Sequence, residues 1–321
     1  MTIRVLALTV LGCVLGLFMP EEAPRDDLRR LAEESRELRA QVLAYDEKGN
    51  TVYLVSAGKI STVYDPTPGK RRIGHPAIPA LSADGRFVAF VRATDTNGSA
   101  STSTGPRREA LAVTDIQAGT TRDLLEWERG IYALAWSPDG LVIAMVAEGE
   151  KRYGLYVVNV QSRQVSELTS TVSVSTLSPP SWSPDGHRLA VAIKEHPGTK
   201  PEYRVAIVEQ STGKLRMLES GRDPVWSPQG DVVAYLDTKQ RNCYSIRLDR
   251  TAKKKLFSAG WTNPSLIGPL HWLPGGKSLG FHYLVGEGPA YAFFMRRTDT
   301  RRNKEIYPRS SLIVAAWHGG S

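Results

Sequence analysis

One short phrase recurs along the chain, and its spacing constrains the fold more than any other feature of the sequence. Each copy combines a Ser-Pro-Asp-Gly turn, or a close variant, with an alternating apolar run. The copies are PALSADGRFVAFVRA (79–93), LAWSPDGLVIAMVAE (134–148), PSWSPDGHRLAVAIK (180–194), PVWSPQGDVVAYLDT (224–238) and LHWLPGGKSLGFHYL (270–284). Their tryptophans, Trp136, Trp182, Trp226 and Trp272, lie 46, 44 and 46 residues apart. A period of this length, built from short strands, predicts one β-propeller blade per repeat.

Each copy predicts a hairpin. Gly140 and Gly186 can adopt the positive φ that the turn needs, and the apolar alternation after the turn predicts a second strand. Two more strand-like segments come after it, for example 154–160 and 164–169. Four strands complete a blade. We interpret each repeat Trp as a core residue between neighbouring sheets, with a ligand platform as the alternative.

These motifs resemble the WD40-like (PD40) repeats of the TolB family over nearly all of residues 41–321. The resemblance rests on Trp-Ser-Pro-Asp-Gly, or a near variant, recurring in register. It implies a propeller fold and a role in protein interactions of the cell envelope, without naming the partner. TolB also has an N-terminal α/β domain, whereas only forty residues precede the strands here. We therefore expect the resemblance to cover the propeller alone.

The two ends of the repeat region predict how the ring closes. Residues 41–65 match the second, third and fourth strands of a blade, while Leu312–Trp317 has the pattern of a first strand. Trp317 lies one period, 45 residues, after Trp272. We predict an all-β, six-bladed β-propeller in which the C-terminal strand completes the first blade and leaves no open edge. The alternative is that AAWHGGS (315–321) resembles the oxyanion-hole strand of prolyl-oligopeptidase hydrolases, but the chain has no Gly-x-Ser-x-Gly nucleophile motif.

The N-terminus predicts export. Val5–Met19 contains fifteen apolar or small residues, preceded by Arg4 and followed by acidic residues. This run is shorter than the roughly 20 residues that span a bilayer comfortably, and its flanks favour translocation of the downstream chain. We assign residues 1–20 to a signal peptide or membrane anchor. Cleavage, retention, lipidation at Cys13 and a buried apolar segment all stay open.

A helix precedes the propeller. Residues 25–40 are rich in helix formers, and Leu28, Leu31 and Leu38 lie near one face. A stalk, a coiled-coil contact and a helix docked on the domain are all compatible with this pattern. Our prediction is a solvated helical spacer over residues 21–40, followed by the propeller over residues 41–321.

The sequence contains few groups arranged for catalysis. Cys13 and Cys243 are too far apart in unlike contexts to predict a disulfide framework. The six histidines show no paired metal-binding spacing: His75, His187, His196, His271, His282 and His318. Only His271 is placed on an innermost strand, as a polar residue of the channel wall. We predict a non-catalytic protein with no cofactor or metal. The alternative is a propeller enzyme, a saccharide lyase or hydrolase with a metal on the axis, because side chains from different blades can converge there.

Basic residues concentrate in the turns of one predicted face. The chain has 41 Lys and Arg against 33 Asp and Glu. The turns hold Arg86, Arg163, Arg188, Lys214, Lys253, Lys254, Lys255, Lys277, Arg301, Arg302 and Lys304. Such a face suits anionic lipid, an acidic wall polymer or an acidic protein, with ordinary solvated turns as the alternative. No aromatic-interleaved basic groove indicates nucleic acid.

The opposite face carries the long loops, where binding specificity usually lies. Trp261 and Asn263 stand in one such loop and His196 begins another. With Arg301, Arg302 and Lys304 of the basic turns, they are our candidate partner-binding residues. The sequence thus predicts an exported, membrane-tethered monomer that binds a protein, a peptide or an envelope polymer.

Overall fold

The computed structural model describes residues 23–37, 39–46, 51–65, 77–94, 108–195, 202–259, 265–273, 275–284, 291–297, 303–310 and 312–319. Within these ranges it contains one helix and 25 strands arranged in six sheets. The segment assigned to a signal or anchor lies outside the described residues.

Five of the six sheets have four strands and one has five. Blade 1 consists of β25 (Leu312–Gly319), β1 (Ala40–Asp46), β2 (Val52–Ser56) and β3 (Lys59–Tyr64). Blade 2 consists of β4 (Ala80–Leu81), β5 (Phe87–Ala93), β6 (Glu109–Asp115) and β7 (Thr120–Trp127). Blade 3 consists of β8 (Ile131–Trp136), β9 (Val142–Glu148), β10 (Tyr153–Asn159) and β11 (Val165–Glu167).

The remaining three sheets repeat this plan. Blade 4 consists of β12 (Ser173–Val174), β13 (Ser181–Trp182), β14 (Arg188–Glu195), β15 (Glu202–Glu209) and β16 (Leu215–Ser220). Blade 5 consists of β17 (Arg222–Trp226), β18 (Val233–Leu236), β19 (Asn242–Ile246) and β20 (Lys254–Ser258). Blade 6 consists of β21 (Leu266–Trp272), β22 (Ser278–Leu284), β23 (Tyr291–Arg297) and β24 (Asn303–Ser310).

The ring closes as the sequence predicts. β25 pairs antiparallel with β1, from Ala40 opposite Gly319 to Asp46 opposite Leu312. The first strands of neighbouring blades contact each other in the circuit β4, β8, β13, β17, β21, β25 and back to β4. The six-bladed propeller is therefore confirmed, with the C-terminal strand as the innermost strand of blade 1.

Blade 4 departs from the four-strand plan. Its innermost position is divided between β12 and β13, and both pair with β14. The residues between them include Pro179 and Pro180. A proline has no amide hydrogen to donate to the ladder, so the prolines interrupt the inner strand.

The hairpin turn between the first two strands is held by its own side chains. In blade 3, Ser137 Oγ donates to Asp139 Oδ1 at 2.5 Å, and this oxygen accepts from Leu141 N at 3.0 Å. Gly140 closes the turn at φ +72°. The hydrogen bond from Ser137 lowers the pKa of Asp139. The same serine-to-aspartate bond forms at Ser82 and Asp84 and at Ser183 and Asp185, so these carboxylates stabilise the turns of their blades.

Helix α1 (Ala23–Glu37) is docked, and our interpretation of this segment as a solvated spacer is wrong. Leu28 and Leu31 are buried and belong to an apolar cluster with Val55 of blade 1 and Phe293 of blade 6. Near the end of the helix, Ser35 Oγ accepts from Gly58 N at 3.3 Å. The helix thus covers the boundary at which the ring closes, and hydrophobic burial there stabilises its position.

Candidate functional site

A cavity of about 360 Å³ lies on the propeller axis and takes lining residues from all six blades. It opens among the hairpin turns that join the first two strands of each blade. Its lining includes Pro79, Ala83, Leu134, Ala135, Trp136, Pro138, Pro179, Pro180, Trp182, Asp223, Pro224, Trp226, Pro228, Pro269, Leu270, His271, Trp272 and Ala316. Its size falls within the roughly 300–1,000 Å³ typical of ligand pockets.

Prolines remove backbone donors from the wall of this cavity. Ser227 N donates to Val232 O at 2.9 Å, so the N–H of Ser227 points toward the second strand of blade 5. Because the direction of the backbone groups alternates along a strand, the N–H of Trp226 points away from the second strand. Consistently, Trp226 N donates to Ser181 Oγ of blade 4 at 3.0 Å. Pro79 and Pro180 hold the position equivalent to Pro224, so three blades have no amide donor at this position of the wall.

The repeat tryptophans pack back onto the preceding blade. The ring of Trp136 lies 6.1 Å from that of Phe87, and the Arg188 guanidinium lies 5.1 Å from the ring of Trp226. Trp182 Nε1 donates to Ala135 O of blade 3 at 3.1 Å. This confirms the predicted core role of the tryptophans, whose edges also line the cavity.

Two histidines of blade 6 hold the closing strand. His271 Nε2 bonds Val314 O at 2.7 Å, and Val314 N donates to His282 Nε2 at 3.2 Å. Burial lowers the pKa of His271 to about 4, although the bond to Val314 acts in the opposite direction. Burial, and secondarily the charge that His271 would carry, lower the pKa of His282 well below its usual value. Both imidazoles are therefore neutral at pH 7. His271 is at the channel wall, as predicted, whereas the role of His282 was missed.

A buried ion pair stands beside the cavity. Arg222 Nε donates to Asp223 Oδ2 at 3.1 Å, and the Arg222 guanidinium lies 5.3 Å from the ring centre of Tyr203. Burial raises the pKa of Asp223, while the Arg222 charge counteracts that effect. Asp223 adopts φ +53°, an uncommon value for a residue other than glycine. This pair was not predicted from the sequence, because neither residue belongs to the repeated phrase.

The side chains of the predicted partner-binding residues lie outside the part of the chain that the structure describes. Trp261, Asn263, His196, Arg301 and Arg302 lie outside the described residues. Lys304 lies in β24, where the structure describes the backbone alone. These assignments remain predictions. A signal that would have pointed to the cavity is the proline two residues before the tryptophan position, as in PSW and PVW.

The described residues include no group of three or more His, Cys, Asp or Glu side chains placed to hold a metal ion. The two buried histidines of blade 6 share Val314 as their hydrogen-bond partner. Cys243 is a buried thiol in β19. Among the residues described, no helix is long and apolar enough to cross a bilayer.

The closed ring and its axial cavity define a β-propeller, a fold that fits a binding role. The family follows from the sequence: a model described as the TolB beta propeller domain (PD40) matches residues 77–269. This match covers more than half of the chain, and the chain belongs to that family. No curated protein matches the sequence significantly.

Solved structures show the same fold at low sequence identity. TolB from Acinetobacter baumannii is 16% identical with a TM-score of 0.60, over 87% of this chain and 66% of that chain. A putative TolB from Agrobacterium tumefaciens is 14% identical with a TM-score of 0.56, over 87% of this chain and 92% of that one. An oligogalacturonate lyase in complex with manganese is 17% identical with a TM-score of 0.53, over 83% and 71%.

Proposed function

We propose that this chain is a non-catalytic binding protein that works outside the cytoplasm and takes a short extended segment of a partner protein into its axial cavity. The observation that carries the proposal is the proline-rich wall of the cavity, to which all six blades contribute. Burial of an apolar side chain in such a cavity supplies binding energy without chemistry.

The size of the cavity supports a peptide over a whole folded domain. About 360 Å³ admits a few side chains, while the surrounding turns would contact the rest of the partner. The hairpin turns around the cavity pack against each other, since Gly186 lies close to Pro138 and Gly230 lies close to Pro184 of the preceding turn. Such packing restricts the turns, and preorganisation lowers the entropic cost of binding.

Location and tethering are proposed on the sequence of residues 1–20. The apolar run Val5–Met19, with Arg4 before it, is typical of an export signal or anchor. Helix α1 comes shortly after this run and is docked on the propeller. A retained anchor would therefore hold the propeller close to the membrane. The resemblance to TolB supports a role in the cell envelope.

The main alternative is a lyase-like enzyme, favoured by the similarity to the manganese-bound oligogalacturonate lyase fold. A metal on the axis requires several oxygen or nitrogen ligands that converge. The described wall contributes mainly Pro, Ala, Leu and Trp, together with Asp223 paired to Arg222 and His271 bonded to Val314. This donor set fits binding better than metal-dependent cleavage.

A matched pair of substitutions tests the proposal. Ala83 is exposed and lines the cavity, whereas Ala118 is exposed on an outer turn of the same blade. Peptides selected from a random library for binding to the propeller should bind at least about tenfold more weakly to Ala83→Trp, while Ala118→Trp should bind like the wild type. Equal binding to both variants, at unchanged thermal stability, would show that the cavity is not the site.

A further inference from the structure

The boundary between blades 4 and 5 carries a concentrated basic surface. It comprises β16 with the residue before it, and the segment 247–255 that leads from β19 into β20. Seven exposed cations lie there: Lys214, Arg216, Arg247, Arg250, Lys253, Lys254 and Lys255. We refer to these residues as the blade 4–5 basic stripe.

Contacts across the boundary bring the two segments together. The Arg216 guanidinium donates to Leu248 O, and Arg250 Nη2 donates to Met217 O at 2.7 Å. Lys253 Nζ pairs with Glu219 Oε2 at 2.8 Å. The contacts follow the same order along β16 and along the segment 247–255. The stripe is therefore linear and, at about 3.3 Å per residue, extends roughly 16 Å along residues 214–219.

The carboxylates within and beside these segments already have partners. Glu219 pairs with Lys253, Asp249 accepts from Thr251 N at 2.8 Å, and Glu209 accepts from Thr212 Oγ1 at 3.0 Å. Seven cations against these three carboxylates leave a formal charge of +4, half of the +8 of the whole chain. The surface is therefore strongly positive. In the described contacts, none of these three carboxylates pairs with Lys214, Lys254 or Lys255.

Elsewhere the predicted basic ring is partly neutralised. Arg86 pairs with Asp115 at 2.7 Å and Arg188 pairs with Asp185 at 2.7 Å. Among the described residues, these two arginines of the predicted basic face are thus neutralised, whereas the boundary between blades 4 and 5 stays strongly basic. In addition, Arg250 covers the Met217 carbonyl on the outermost strand of blade 4, which obstructs pairing of another strand there.

We propose that the blade 4–5 basic stripe binds an extended acidic segment of a polypeptide through its side chains. A linear row of cations matches carboxylates spaced along an extended chain. A flat bilayer surface would contact these cations at only one of the boundaries between blades. The exposed large apolar residues of the described chain, Ile60, Leu141, Val165 and Leu177, lie on other blades or outside the stripe and would not insert beside it.

The test uses the full chain and a fluorescent decaglutamate peptide as the probe. The variant Lys214→Glu, Lys254→Glu, Lys255→Glu should weaken peptide binding at least about tenfold, and the wild-type affinity should fall as salt rises. The control variant Lys59→Glu, Lys151→Glu, Lys239→Glu changes the net charge equally at exposed sites on blades 1, 3 and 5 and should stay within about threefold of wild type. Substitution of the three stripe lysines by Gln keeps the test informative if charge reversal perturbs folding.

Equal losses in the two glutamate variants would overturn the proposal, because net charge alone would then explain binding. Binding of the wild type to phosphatidylglycerol vesicles, with no binding of the peptide, would overturn it in favour of a membrane. The Ala83→Trp variant separates this surface from the axial cavity, since it should leave decaglutamate binding unchanged. Loss of decaglutamate binding in that variant would place the acidic segment in the cavity and contradict the stripe.

Discussion

His271 Nε2 lies 2.7 Å from the carbonyl oxygen of Val314, so a side chain of blade 6 satisfies the backbone of the strand that closes blade 1. Val314 N is satisfied by His282 of the same blade at 3.2 Å. An innermost strand has one side facing the channel, away from its sheet partner. In β25, blade 6 provides the hydrogen-bond partners for that side. Closure of the ring therefore depends on both blade 1 and blade 6.

Replacement of His271 by Leu should destabilise the propeller. The substitution leaves the Val314 carbonyl buried without its partner, which costs about 1–3 kcal/mol. The measurement is the free energy of unfolding in urea. His187→Leu is the control, because His187 is exposed on a turn and its loss should change stability by less than about 0.5 kcal/mol. Equal effects of the two substitutions would show that the bond to Val314 contributes nothing.

The stability of the propeller should fall as the pH drops from about 6.5 toward 4. The folded pKa of His271 is about 4, below the 6.5 of an unperturbed histidine, so the unfolded chain binds the proton more readily. The contribution is complete above pH 6.5 and declines through this window, on the order of 3 kcal/mol for His271. Thermal unfolding as a function of pH checks it. His271→Leu should flatten the profile between pH 6.5 and 4, and a profile parallel to wild type would contradict the assignment.

The titration of Asp185 should change the stability of the propeller in a second, more acidic pH range. Although partial burial acts to raise the pKa of Asp185, hydrogen bonds from Ser183, His187 N and Arg188 lower it from 3.8 to about 2. Its stabilisation is present above pH 3.8 and is lost as the pH falls toward 2. Asp185→Ala should cost about 1 kcal/mol at pH 7 through the lost turn bonds. The difference from wild type should shrink between pH 4 and 2, and a constant difference would exclude this role.

Leu31→Ala in helix α1 should be strongly destabilising. Leu31 is fully buried, at 0% exposure, against the boundary of blades 1 and 6. Its truncation should cost about 2–5 kcal/mol and lower the melting temperature. Glu33→Ala, at an exposed position of the same helix, should leave the melting temperature nearly unchanged. If Leu31→Ala were as mild as Glu33→Ala, the helix would not contribute to the fold.

Removal of β25 should disrupt the entire propeller. Truncation before Leu312 exposes the edge of β1 and removes the partner of His271 and His282. We expect loss of a single cooperative transition in thermal unfolding and a tendency to aggregate through the exposed edge. An unchanged transition in the truncated chain would contradict closure through this strand.

The repeated turn phrase was sufficient to predict five of the six blades, because the interactions that form each turn are local. Gly140, Asp139 and Ser137 form their turn with each other, so the hairpin is encoded in adjacent residues. Ring closure was also predictable, because the period placed Trp317 where a first strand was missing. The axial cavity was harder to predict from the sequence, although the prolines two residues before the tryptophans pointed to it.

Turn chemistry and apolar alternation act over short distances, so the blade, its period and the strand that closes the ring are all encoded locally in the sequence. The tertiary structure alone establishes that the N-terminal helix is buried, which histidines bind Val314, and which arginines are neutralised. These outcomes depend on residues that are distant in sequence. Leu31 joins the apolar cluster that contains Phe293, His282 bonds Val314, and Arg250 bonds Met217, because the closed ring brings distant segments of the chain side by side.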